Sequence, residues 1–228
     1  MPPKEPPRPM KDTAAIDLAA MLCSRLCHDL LSPIGALSNG LELLADERDP
    51  AMRAKCIELL EQSAKTSTDK LKFFRLAFGA AGGFGEAVPV EEPRALIEAL
   101  ASNNARITLN WALADATVPK DAVKVMLNLA QIAIDALIRG GTLDIGAETR
   151  DGSSEIVVRA TGDRIAFDDN IGRALEGSLD AAEVSSRTAA AHMLALVAEA
   201  KGGTLQYHRD DKALVMGAVL PQGEGWIG

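Results

Sequence analysis

The fold is decided by residues 21–44, which read MLCSRLCHDLLSPIGALSNGLELL. Apolar residues recur there and just before it, at alternating steps of three and four: Ile16, Ala19, Cys23, Leu26, Leu30, Pro33, Leu37, Leu41 and Leu44. A period near 3.5, sustained over about four heptads, is typical of the seam of a long helix in a coiled coil or four-helix bundle. His28 falls at the heptad position farthest from this seam. We therefore expect its imidazole to face solvent.

A second helix follows a short turn. The turn, residues 46–50, reads DERDP, in which Asp49 suits an N-cap and Pro50 the first helical position. The first helix is predicted over 13–45, with a bend near Pro33, and the second runs to about Phe78. Helices joined by so short a turn form an antiparallel hairpin. Its second helix has a predicted inward face of Met52, Cys56, Leu59, Ser63, Thr66, Leu71, Phe74 and Phe78.

A single hairpin of this length leaves apolar surface on both helices uncovered. Pairing two hairpins into a dimeric four-helix bundle covers it, so we predict a homodimer. The alternative is that the second domain folds back over the same surface.

The domain plan follows from shifts in composition. Residues 1–11 hold five prolines and four charged residues and predict a disordered arm. The helical hairpin takes 12–79, a glycine-rich hinge 80–87 and a second domain 88–228. In that last part helical and strand patterns are mixed, which predicts an α+β fold, a sheet with helices on one face. Its predicted helices are 95–103, 120–139, 168–177 and 184–201; its strands are 105–113, a hairpin turning at Asp151-Gly152, and a final hairpin.

Composition limits the classes of partner. Apolar residues make up 47% of the chain, which is ample for a core. The net charge of −8 argues against nucleic acid or an anionic membrane as partner. Three cysteines without a CxxC pair fit a reducing compartment, and no apolar run is long enough to span a bilayer. We expect a cytoplasmic protein.

The residues around His28 suggest chemistry. A neutral imidazole is a good nucleophile, and the carboxylate of Asp29 can fix its tautomer and raise its basicity. Ser32, one turn later, can donate to a phosphoryl oxygen, and Arg25 can balance its charge. Leu31, exposed beside the histidine, can supply apolar contact to a partner. The candidate catalytic residues are therefore His28, Asp29 and Ser32.

The facing part of the second helix is small, polar and basic. The turn near Glu47 is expected to place residue 66 opposite His28, within the segment KTSTDK at 65–70. A flat, lightly basic face suits a phosphoryl donor that is itself an acidic protein. The candidate partner-binding residues are Arg25, Leu31, Lys65 and Lys72.

The segment HDLLSPI at 28–34 resembles the H-box of sensor histidine kinases, a His-acid pair followed by proline in a dimerisation helix. The resemblance implies that His28 accepts a phosphoryl group, that Asp29 assists it, that Ser32 gates transfer and that Pro33 bends the helix.

The second domain resembles the ATP-binding domain of the same kinases, with its ligands replaced. Asn128 matches the first asparagine of the N-box, but Ile132 stands where the Mg²⁺-coordinating asparagine belongs. Ala160 replaces the aspartate that reads adenine, and Arg164 replaces a glycine of the nucleotide box. A glycine-rich phosphate loop is replaced by TAAA at 188–191. We therefore expect no ATP binding, no cofactor and no metal of the chain's own.

A kinase-like hairpin followed by a degenerate ATPase-like α/β sandwich resembles the alphaproteobacterial histidine phosphotransferases. That family implies a phosphorelay in which His28 takes a phosphoryl group from the receiver domain of a hybrid histidine kinase and passes it to receiver domains of response regulators. The receiver supplies the aspartate and the Mg²⁺. No intrinsic ATP-dependent kinase activity is expected.

Other interpretations remain open. One is an ATP-using histidine kinase with a divergent nucleotide site; another is a non-catalytic dimeric scaffold that docks receivers. Cys23, Cys27 and His28 could imitate a metal site, but they lack a fourth ligand, so core or near-core thiols are the better interpretation. His192 and His208 have no carboxylate neighbour at helical or strand spacing and are expected to be structural or exposed.

Overall fold

A computed structural model describes residues 10–79, 87–102 and 106–222. Its N-terminal part is a hairpin of two helices, α1 (Met10–Asp46) and α2 (Pro50–Ala77). The helix α1 continues through Pro33 and begins at Met10, directly after the last proline of the predicted arm, so residues 10 and 11 are helical. The rest of the arm and all of the predicted hinge except Ala87 lie outside the described residues. No helix in the described ranges is both long and apolar enough to cross a membrane.

The turn between the two helices matches its prediction. The Asp49 side chain accepts a hydrogen bond from the Ala51 backbone N–H at 3.1 Å, and Pro50 is the first helical residue. Arg53 then donates through Nη1 to the carbonyl oxygens of Leu44 and Glu47, at 2.9 and 2.8 Å. Because these carbonyls lack partners within α1, Arg53 stabilises the end of that helix.

The second domain contains a five-stranded sheet of order β2-β4-β5-β7-β6, in which only β2 and β4 are parallel. A separate antiparallel pair joins β1 to β3. The strands are β1 (Ala87–Pro89), β2 (Ile107–Leu113), β3 (Thr117–Pro119), β4 (Gly141–Arg150), β5 (Ser153–Thr161), β6 (Thr204–Arg209) and β7 (Ala213–Pro221). The helices are α3 (Glu91–Ser102), α4 (Lys120–Ala136), α5 (Asp169–Leu175) and α6 (Ala189–Ala200), with a 3₁₀ turn at Ala181–Glu183.

Helices cover one face of this sheet. Along β5 the side chains of Ile156, Val158 and Ala160 are buried, while Glu155 and Val157 between them are exposed. Positive φ angles at Asp151 (51°) and Gly152 (75°) form the tight β4–β5 turn where the sequence predicts it. The predicted α+β class, with a helical hairpin before a mixed sheet, is confirmed.

The hairpin and the second domain share one core at the C-terminal end of α2. Phe73, Phe74, Leu76 and Ala77 are buried in the same cluster as the apolar face of α4. Asn128 of α4 donates through Nδ2 to the Ala77 carbonyl oxygen at 3.2 Å. The second domain therefore packs against the part of the hairpin that contains His28 and the end of α2.

Elsewhere the hairpin keeps a large apolar surface. Met52, Leu59 and Leu71, predicted on the inward face of α2, are exposed. Cys56 and Phe74 of the same predicted face are buried as expected, but between them the buried stripe runs through Ser67 rather than Leu71, and Leu60 contacts Gly40 of α1. On α1, Ile16, Leu31, Ile34 and Leu41 are also exposed. Folding of one chain thus leaves this surface uncovered.

Candidate functional site

His28 lies on the outer face of α1, where 86% of its side chain is exposed. Its Nδ1 lies 3.3 Å from Oδ1 of Asp29. A carboxylate can only accept a hydrogen bond, so this contact requires the hydrogen of the neutral ring to sit on Nδ1. The lone pair is then on Nε2, which makes Nε2 the nucleophilic atom. The expected exposure of His28 is confirmed; its catalytic role and that of Asp29 stay predictions.

Lys70 of α2 is tied to the residue that follows His28. In an α-helix the Asp29 carbonyl would accept from the N–H of residue 33, but Pro33 has none. Lys70 Nζ fills this position at 2.7 Å from the Asp29 carbonyl oxygen. The expectation that residue 66 faces His28 is therefore wrong by about one helical turn. The contact of Gly40 with Leu60 shows the same shift, so each residue of α1 lies opposite a later residue of α2 than expected.

Replacing Lys70 by methionine should lower the free energy of unfolding. The change keeps most of the stem but leaves the Asp29 carbonyl without its charged donor, a loss of about 1.5–3 kcal/mol. Lys72→Met on the same helix is the control, since Lys72 is exposed and makes no ion pair with a described residue. It should change stability by about 0.5 kcal/mol or less. Urea unfolding measures both, and equal effects would contradict this role of Lys70.

Arg25 is enclosed between the two domains. Only 17% of its side chain is exposed. Its Nη2 lies 3.2 Å from Oδ2 of Asp135 on α4, its Nη1 donates to the Arg187 carbonyl oxygen at 3.4 Å, and its Nε lies 3.7 Å from Oδ2 of Asp29. The sequence suggested a cation that is available to a partner, but the structure places this guanidinium in an interdomain contact. A contribution of Arg25 to partner binding stays a prediction.

The other candidate residues are exposed on the two helices of the hairpin. Ser32 is exposed, and Leu31 is 69% exposed. On α2, Lys72 is exposed, while Lys65 Nζ pairs with Asp69 at 2.7 Å, one turn later on the same helix. Such exposed pairs contribute little to stability, so the Lys65 ammonium can exchange its partner at low cost. The partner-binding roles of these side chains remain predictions.

The cysteines differ from their prediction. Cys56 is buried, as core thiols are, but Cys23 and Cys27 are exposed. Within one chain the inward stripe of α1 passes through Leu26 and Leu30 and leaves both thiols on the adjacent stripe. Among the described residues, no group of three or more His, Cys, Asp or Glu side chains is placed to hold a metal ion.

The side chains at the positions that would bind nucleotide in a kinase-like domain are buried or hydrogen-bonded within the protein. The Asn128 amide is 2% exposed and donates to the carbonyl oxygens of Ala77 and Lys124. Ile132 is a buried core residue. Ala160 is fully buried in β5, where its register neighbours are Leu143 and Leu214. These residues do not fit Mg²⁺-ATP, because neither Ile132 nor Ala160 offers a metal or adenine ligand and Asn128 is already bonded.

Sequence reasoning placed Lys70 in the basic segment 65–70 but missed its contact with Asp29, and it missed Asp135 altogether. Lys70 left a signal: a proline four residues after Asp29 leaves the Asp29 carbonyl without a donor, and a lysine on the facing helix can satisfy it. The sequence contains no signal for Asp135, because 110 residues separate it from its partner Arg25. Partial burial raises the pKa of the Asp135 carboxyl, and the neighbouring guanidinium of Arg25 opposes that shift.

Comparison with known proteins covers both domains. A family model described as the C-terminal domain of histidine phosphotransferases matches residues 90–213. The protein phosphotransferase ChpT of Brucella abortus (strain 2308) is 31% identical over 209 residues, which span 90% of this chain and 96% of that protein. The solved structure of a bacterial phosphotransferase matches with a TM-score of 0.76 and 30% identity, again over 90% of this chain and 96% of the other.

Proposed function

Since this chain belongs to the histidine phosphotransferase family, we propose that it is a phosphorelay protein that carries a phosphoryl group on His28. The donor is the receiver domain of a hybrid histidine kinase, and the acceptors are receiver domains of response regulators. The observation that carries the proposal is the exposed imidazole whose Nδ1 is held by Asp29, which leaves Nε2 directed outward.

Transfer needs only one bond to form and one to break. Nε2 of His28 attacks the phosphorus of an aspartyl phosphate on the receiver, and the bond between phosphorus and the aspartyl oxygen breaks as the nitrogen–phosphorus bond forms. The leaving group departs as a carboxylate, so no proton has to move. The ring retains its Nδ1 hydrogen and becomes cationic. The Asp29 carboxylate stabilises this positive charge. The onward transfer is the same step in reverse.

The remaining groups position the phosphoryl group and its carrier. Ser32 lies one turn beyond His28 and donates to a phosphoryl oxygen, and Lys65 and Lys72 give the face the positive charge that suits an acidic receiver. Mg²⁺ is supplied by the receiver, so the phosphotransferase brings no cofactor. The buried Ile132 and Ala160 and the engaged amide of Asn128 support a protein that does not use ATP.

A labelling experiment with two donors tests this function. The wild-type protein is incubated separately with labelled ATP and with a labelled, phosphorylated receiver domain of a hybrid histidine kinase. Label is expected from the receiver alone. Label taken directly from ATP would mean that the protein is a kinase, and label from neither would leave a docking scaffold.

We further propose that the functional form is a homodimer. The exposed apolar residues of α1 include Ile16, Cys23, Ile34 and Leu41, which follow one another along one side of the helix. The second domain leaves this side uncovered in the single chain. A second hairpin placed against it completes a four-helix bundle, in which such 3.5-residue repeats are buried.

Leu31→Glu should weaken receiver binding. Leu31 is 69% exposed beside His28, where a docked receiver has to contact it. A carboxylate there removes apolar contact and repels an acidic partner, so we expect the dissociation constant to rise about tenfold or more. Titration calorimetry with a receiver domain measures it, and Val157→Glu on the open face of the sheet is the control. An unchanged affinity would place the docking surface elsewhere.

A further inference from the structure

Asp135 connects the second domain to the reacting histidine through two other side chains. On α4, Oδ1 of Asp135 accepts from Gln131 Nε2 at 2.7 Å, one turn earlier, which fixes the carboxylate on its helix. Its Oδ2 accepts from Arg25 Nη2 at 3.2 Å. This contact crosses from α4 to α1 and so ties the position of the Arg25 guanidinium to the second domain.

The fixed orientation of Arg25 in turn orients the side chain of Asp29. A guanidinium is planar and rigid, so a group held at Nη2 and at Nη1 also has a fixed direction at Nε. Nη1 donates to the Arg187 carbonyl oxygen, which also belongs to the second domain. The remaining Nε faces Oδ2 of Asp29 at 3.7 Å. The Arg25 side chain is only 17% exposed, whereas the side chains of Asp135 and Asp29 are 54% and 30% exposed, so the three groups meet at the edge of the interdomain contact.

Asp29 uses its two oxygens for different partners. Oδ2 faces Arg25 and Oδ1 faces Nδ1 of His28 at 3.3 Å. If Asp135 lost its charge, Arg25 would be drawn more strongly onto Asp29, since Asp29 would be the one carboxylate among the described residues that still pairs with it. The Asp29 carboxylate would then rotate toward the guanidinium and away from the imidazole.

We propose that Asp135 is a positioning residue for phosphoryl transfer, and that the second domain keeps His28 in its reactive tautomer through Arg25 and Asp29. The proposal rests on the proposed function of His28. It gives the second domain a part in the reaction that requires no nucleotide: it holds Nδ1–H on the histidine so that the Nε2 lone pair is available. Outer partners of a reacting group act in this way by orienting the inner ones.

The test uses a small donor, phosphoramidate, so that receiver docking does not enter the measurement. Its nitrogen–phosphorus bond breaks as Nε2 of His28 bonds to phosphorus, and ammonia leaves. Asp135→Asn should slow labelling of His28 about tenfold, the lower end of what the loss of an outer partner costs. Asp135→Glu should restore most of the rate. Asp151→Asn, which removes an exposed carboxylate at the β4–β5 turn, is the matched control and should leave the rate unchanged.

A second measurement separates positioning from a loss of folding. The nitrogen chemical shifts of the three histidines report which ring nitrogen carries the hydrogen, and His28 is assigned by its absence in His28→Ala. The Nδ1–H fraction of His28 should fall in Asp135→Asn and in Arg25→Gln, while His208 stays unchanged. A slower rate with unchanged His28 shifts would overturn the proposal, as would unchanged rates in both variants. A wild-type protein that takes no label from any donor would instead overturn the proposed function.

Discussion

Replacing His28 by alanine should abolish phosphoryl transfer from a phosphorylated receiver domain, with a loss of at least about a thousandfold in rate. The nucleophilic nitrogen is removed, and no other imidazole can take its place. His28 is the only histidine of the hairpin; His192 is half-buried on α6 and His208 lies on the edge strand β6. The measurement is single-turnover labelling of the protein, followed by gel separation under alkaline conditions that preserve phosphohistidine.

His208→Ala is the control for this loss, since it removes an exposed imidazole of the second domain and should leave transfer intact. Docking should survive the change at His28, because Leu31, Ser32 and the basic residues of α2 are untouched. The variant is therefore expected to bind a receiver domain with near wild-type affinity while carrying no label. Transfer that persists without His28 would contradict the assignment of the phosphoryl carrier.

Changing Ile34 to glutamate should convert the proposed dimer to monomers. Ile34 is 50% exposed in the single chain and lies on the apolar side of α1. Under two-fold symmetry one substitution places two carboxylates in the same interface. Burying them without partners costs several kcal/mol, so the dissociation constant should rise at least a hundredfold. Sedimentation equilibrium at several protein concentrations measures the change.

Val157→Glu is a closely matched control. Val157 is also 50% exposed, but it lies on the open face of the sheet, so the added charge stays in water. Its sedimentation should equal that of the wild type. A monomeric wild-type protein would contradict the homodimer, and a dimer that survives Ile34→Glu would move the interface to another surface.

Local rules made the first part of the fold predictable. The cap at Asp49, the proline that follows it and the turn at Asp151-Gly152 each depend on residues adjacent in sequence, and the structure has all three. The exposure of His28 followed from its heptad position in the same way. The strands β1 and β3 were not predicted, because each has only three residues and ends in a proline, so neither displays an alternating pattern.

Choices between two apolar stripes and contacts between distant residues were not predictable. A helix with apolar residues on two adjacent stripes does not reveal which stripe packs inside its own chain, and Met52 and Leu59 were therefore misplaced. The pairing of Arg25 with Asp135 depends on how the second domain sits against α1. Neither residue has a sequence neighbour that signals the other.

The core of the second domain is sensitive to polar substitution at Ile132 and Ala160. An asparagine at Ile132 would place an amide where the side chain is only 6% exposed, and an aspartate at Ala160 would bury a carboxylate beside Leu143 and Leu214. Each single change costs on the order of 1–3 kcal/mol or more, because the new polar group has no partner in that core. A single polar change at either position would therefore leave the domain less stably folded, whatever ligand contact the new side chain could make.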